Sequence, residues 1–103
     1  MIDINKIKPK IAELARENNL KFVVLYGSQA KGTAKKESDI DIAVLGKKTI
    51  SFDKLVDLIN EFTGILETNE VDVKSLHNTN PLFRYEVTRD GILLYGDEKD
   101  YIS

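Results

Sequence analysis

The chain has 103 residues, 42% of them hydrophobic, enough for one modest core but not for two. Its formal net charge of -2 lacks the basic excess of a protein that tracks a nucleic-acid backbone, which disfavours free DNA or RNA as a partner. With no cysteine there is no disulfide framework, thiolate zinc site or cysteine nucleophile, and cofactor chemistry must rest on oxygen ligands.

Ile4, Ile7, Ile11 and Leu14 recur at helical spacing, so the first element is an amphipathic helix. Pro9 would forfeit an interior hydrogen bond there, which predicts a helix that starts late or bends. "KFVVLY", residues 21–26, is short, apolar and β-branched and stops at Gly27, the pattern of a buried strand. "SDIDIAVL", residues 38–45, alternates, with Ile40, Ile42 and Val44 on one face and Asp39, Asp41 and Ala43 on the other. Ser51 is placed to cap a helix carrying Phe52, Leu55, Val56, Ile59, Phe62 and Leu66, and Gly64 would stop or weaken it. "EVDVKSL", residues 70–76, is a third strand with Asp72 opposite Val71 and Val73. Asn80 and Pro81 open a last helix, with Leu82, Phe83, Tyr85 and Val87 as its apolar contacts, and Gly91 closes it. "ILLY", residues 92–95, is a final strand. The order predicts an α/β (α+β) fold, a mixed four-stranded sheet with helices packed on it as one layer pair. Residues 1–103 read as a single domain, and with no run long and apolar enough for a leader or a membrane span, a soluble cytoplasmic protein is expected.

Two carboxylates on one strand face repel each other unless something neutralises them, and a divalent cation does so. Residues two apart in a strand lie about 7 Å apart, so Asp39 and Asp41 can converge on one metal or bracket two. Oxygen ligands favour magnesium, with manganese as a substitute. If the Asp72 strand pairs beside theirs, its carboxylate joins from the same face. Gly27 permits a sharp turn, and Ser28 with the following amides would open a short helix that receives phosphate. Lys31, Lys35 and Lys36 add positive charge nearby or are simply solvated. A phosphate cradle beside a metal site suggests a nucleotide, and Tyr26 is placed to pack near it. His77 reads as a surface or cap residue rather than a base, Tyr85, Tyr95 and Tyr101 as core or edge aromatics, and Lys47 and Lys48 as a solvated loop.

Gly27, Ser28, ten residues, then Asp39, Ile40 and Asp41 match the G-S-x10-D-x-D signature of the nucleotidyltransferase superfamily that includes DNA polymerase beta. With "VVLYGSQAKG", "SDIDIAVL", "EVDVKSL" and "RDGILLYGD" in order, the chain resembles the minimal nucleotidyltransferase (MNT) branch over most of its length. The resemblance implies the nucleotidyltransferase fold, with Asp39 and Asp41 holding magnesium on the nucleotide phosphates and Asp72 binding the catalytic metal and helping to deprotonate the acceptor. Gly27 and Ser28 would contact the outer phosphates. It further implies transfer of a nucleoside monophosphate, AMP from ATP, to a hydroxyl. Such chains commonly pair with a small helical HEPN protein as antitoxin and toxin, in some cases adding AMP to a HEPN tyrosine, so a hetero-oligomer is expected.

Relatives often read "GSRARG" where this chain has "GSQAKG", so Gln29 and Lys31 stand in place of arginines. Lysine keeps the charge without the bidentate fork, and glutamine loses both. An alternative role follows: a catalytically weak module of the same fold that neutralises its partner by complex formation. A third, an enzyme for a small acceptor, is opposed by the lack of an acceptor domain within this length.

Overall fold

The computed structural model describes residues 3–32, 39–77, 79–97 and 99. Helix α1 spans Ile4–Glu17, and Asp3 caps it by accepting from the Lys6 amide at 3.3 Å. Pro9 therefore lies inside the helix, and the late start expected from it does not occur. Burial decides this: an interior proline costs roughly 3 kcal/mol, whereas each large aliphatic removed from water contributes about 1.5–3 kcal/mol. Ile7, Ile11 and Leu14 are all buried.

Strand β1 (Leu20–Tyr26) leads into a single-turn helix α2 (Ser28–Lys31), and strand β2 (Ile40–Gly46) returns antiparallel to β1. Helix α3 (Phe52–Leu66) begins at Ser51, whose hydroxyl accepts from the Lys54 amide at 3.2 Å. It runs through Gly64 and ends at Glu67, which turns left-handed at φ 56° and donates its N–H to Thr63. Parallel neighbours need a crossover, and α3 supplies it, delivering β3 (Val71–Ser75) parallel to β2. Helix α4 (Pro81–Asp90), capped by Asn80, precedes β4 (Ile92–Tyr95), which pairs antiparallel with β1. The mixed four-stranded sheet has the order β3-β2-β1-β4.

Alternation in the strands splits the core in two. Val23, Leu25, Ile40, Ile42, Val44 and Val73 face α1 and α3 and pack with Ile11, Leu14, Leu58 and Phe62. Phe22, Val24, Ala43 and Leu76 face the other way and pack with Val87 and Phe83 of α4. The sheet is thus covered on both faces, α4 lying opposite α1 and α3, rather than forming one layer pair. Of the apolar residues expected to seat α4, Leu82 and Tyr85 are instead 62% and 58% exposed. Among the described residues no helix is long and apolar enough to cross a membrane.

Candidate active site

The acids lie on the α4 side of the sheet, where the smaller core gives way to solvent. In the β2–β3 register Asp41 stands directly beside Asp72, and in the β1–β2 register it stands beside Tyr26. Period-two alternation puts all three side chains on one face, because their neighbours Ile40, Ile42, Val71, Val73 and Leu25 belong to the opposite core. The condition set by sequence for Asp72, that its strand pair beside that of Asp41, is met. Asp39 lies one residue before β2 and is exposed.

Gly27 ends β1 with φ 73° and ψ -154°, a conformation essentially restricted to glycine. A Cβ at this position would collide with Oδ2 of Asp41. The turn therefore depends on glycine twice, for its backbone and for the approach of a carboxylate. The Gly27 carbonyl accepts from the amides of Ala30 and Lys31 at 3.2 and 3.1 Å and closes α2, leaving the leading amides with no carbonyl one turn back. The half-buried Ser28 begins that turn.

Like charge dominates the electrostatics. The Asp41 carboxyl is raised above its ordinary value of 3.8 by burial first, then by Asp72 and Asp39, with Lys74 pulling the other way. Lys74 is itself 4.0 Å from Asp72. The Tyr26 phenol is also pushed up, by burial and then by the charges of Asp41 and Asp72, so it stays neutral and cannot serve as an anionic base near neutrality. Its ring meets Phe83 edge-on with centroids 5.6 Å apart.

Among the described residues no three acidic or imidazole side chains stand close enough together to hold a metal ion, so the expected trio of Asp39, Asp41 and Asp72 is not assembled as one cluster. Two neighbouring carboxylates, offset in part by Lys74 and partly open to solvent, suit magnesium, which keeps waters and is completed by substrate phosphates. The pair Asp41 and Asp72 fits that ion, while Asp39 lies outside the strand and exposed.

Lys31 does not stand free: its Nζ lies 3.6 Å from Asp90 at the end of α4. Lys35, Lys36 and Tyr101 lie outside the described residues. His77 is at the other end of the sheet, with Nε2 3.1 Å from the Gly46 carbonyl. Tyr95 packs on the larger core, and Lys47 and Lys48 are exposed. Sequence reasoning missed a groove of about 220 Å³ between Gly27 and α4, lined among others by Tyr26, Lys31, Glu86, Arg89 and Asp90. The signal available was spacing: Phe83, Glu86, Val87 and Asp90 fall on one face of a helix, but nothing local says that this face meets the Gly27 turn.

A mixed sheet that sets neighbouring strand carboxylates against a glycine-serine turn defines a nucleotidyltransferase-fold domain. The chain belongs to the Polymerase beta nucleotidyltransferase family, whose model matches residues 9–100. It is 32% identical over 93 residues to protein adenylyltransferase MntA of Shewanella oneidensis, with 88% of this chain aligned, and it spans 66% of that relative's length. Among solved structures it is similar to a toxin-antitoxin complex with AMP-PNP, at a TM-score of 0.80 and 30% identity over 98% of this chain and 79% of that one. It is also similar to the complex of a tri-AMPylated Shewanella oneidensis HEPN toxin with its MNT antitoxin, at a TM-score of 0.73 and 27% identity over 94% and 76% of the two chains.

Proposed function

We propose that this chain is a magnesium-dependent protein adenylyltransferase that acts as antitoxin to a small helical HEPN protein by transferring AMP from ATP to a tyrosine hydroxyl. The observation that carries the reading is the Asp41–Asp72 pairing across parallel strands, with Gly27 packed against Asp41. The AMPylated HEPN toxin and the AMP-PNP bound in the similar complexes support the acceptor and the nucleotide.

In the reaction the acceptor oxygen forms a bond to the α-phosphorus and the bond to the pyrophosphate oxygen breaks. The phenolic proton passes to the Asp72 carboxylate and on to water, and pyrophosphate carries away the displaced electron pair. Asp41 and Asp72 would hold magnesium, which when bound screens the phosphate charge and stabilises the attacking and leaving oxygens. The leading amides of α2 and the Ser28 hydroxyl bind the outer phosphates, and Gly27 lets them approach Asp41.

The test is incubation of the chain, magnesium and its HEPN partner with ATP labelled at either the α- or the γ-phosphate. Label should appear on a partner tyrosine from the α position only, the γ label leaving as pyrophosphate. Label retained from the γ position, or none from any nucleotide, would overturn the reading. A partner that is neutralised but never labelled would mark the chain as a binding module.

A further inference from the structure

Two cations at the Gly27 groove share a single carboxylate. Lys31, at the end of α2, lies 3.6 Å from Asp90, and Arg89 reaches the same carboxylate through a terminal nitrogen at 2.8 Å and through Nε at 3.2 Å to each oxygen. All three residues line the groove that opens beside Gly27. Both cationic side chains are about half exposed, at 53% for Lys31 and 51% for Arg89, while Asp90 is 28% exposed. The Arg89 guanidinium also stands 5.4 Å from the centroid of the Tyr85 ring, which limits where it can swing.

A carboxylate taking the fork of an arginine side by side presents the same planar pair of oxygens that a phosphate does. Asp90 therefore occupies the position of an anion between two cations, next to the turn that contacts phosphate. The loop "GSQAKG" has no guanidinium of its own, and the fold brings one to it from α4.

We propose that Arg89 is a polyphosphate-binding residue of this site, and that Asp90 is an internal anion that holds Arg89 and Lys31 at the groove until the nucleotide's outer phosphates displace it. The exchange is non-covalent: the two cations leave one carboxylate for phosphate oxygens, and Asp90, at the edge of the groove, turns to water. Glu86 is the other carboxylate of the groove and disfavours an anion seated deeper along α4, so the phosphates stay at the Gly27 end. The proposal rests on the nucleotide-binding reading above and adds to it two residues outside the Gly-Ser and Asp-x-Asp motifs.

The experiment is calorimetric titration of the full chain, in magnesium, with a non-hydrolysable ATP analogue, with inorganic tripolyphosphate and with AMP, for wild type, Arg89→Ala, Arg89→Lys and Asp90→Asn. Arg89→Ala should weaken the analogue and tripolyphosphate about tenfold, the loss of one charge-assisted contact, and leave AMP unchanged. Arg89→Lys should recover part of that loss, and Asp90→Asn should tighten tripolyphosphate by a few fold. Equal weakening of AMP and tripolyphosphate by Arg89→Ala would mean a structural role and overturn the proposal, as would wild-type affinity in that variant. Should wild type bind neither the analogue nor tripolyphosphate, the nucleotide reading itself falls, a result distinguishable from failure of Arg89 alone.

Discussion

Gly27 and Asp41 bind the turn to the acids, and each supports a quantitative expectation. Gly27→Ala must place a side chain at φ 73° and against the Asp41 carboxylate. It should lower stability by roughly 1–3 kcal/mol, read as a fall in the urea midpoint, and should abolish labelling of the partner. Asp41 makes a pH-dependent case. Its carboxyl is raised in the folded chain by burial and by Asp72 and Asp39, so the folded state holds this proton more tightly than the unfolded state. Below the ordinary carboxyl value of 3.8 both states are protonated and the residue is neutral in effect. As pH rises through the raised folded value, the crowded charge must be carried and stability is lost. Asp41→Asn should therefore raise the melting temperature in EDTA at neutral pH, and the gain should vanish in acid. Magnesium should stabilise wild type more than this variant. A variant that melts lower than wild type at pH 7 in EDTA would contradict the like-charge account.

At the scale of elements, helix α4 was marked by its Asn80–Pro81 start and Gly91 end, with Leu82 and Tyr85 left exposed. For all four strands and for helices α1 and α3, apolar runs and hydrophobic period were enough, because these elements meet cores that reward them. The strand that carries Asp41 illustrates this: Ile40, Ile42 and Val44 dictate which way the acid points. The pairing of Asp72 with Asp41 was legible only as a condition. A helical connection such as α3 permits a parallel neighbour without dictating one, and β1 and β2, joined through α2, pair antiparallel. What was not legible depended on packing at a distance. Pro9 locally signals a late start or a bend, yet α1 begins at Ile4 and its buried stripe carries the helix through the proline. The groove between Gly27 and α4 joins residues about sixty positions apart in the chain, from Lys31 to Asp90, and no local pattern encodes such a meeting. The proline yields a direct test. Restoring the missing N–H with Pro9→Ala should stabilise the protein by about 1 kcal/mol, less than the full helical propensity difference because the unfolded chain gains freedom. A fall in the denaturation midpoint would show that the ring itself packs usefully.

On the scale of the whole molecule, both sheet faces are covered over the centre and opened at one end, where β1 stops at Gly27, β2 begins beside Asp39 and β3 begins with Asp72 close to its start. That end gathers the acids, the Gly27–Ser28 turn and the α4 groove, while His77 and the Gly46 carbonyl close the other. In the proposed function this end of the sheet supplies the nucleotide half of a reaction and a second chain supplies the acceptor. The most direct measurement of this division is single-turnover transfer of α-labelled AMP to the HEPN partner by wild type, Asp41→Asn and Asp72→Asn at saturating magnesium. Each carboxylate variant should remain folded, bind the partner and lose transfer by at least a factor on the order of a hundred. Undiminished transfer by either variant would contradict the assignment of the paired carboxylates as the catalytic centre.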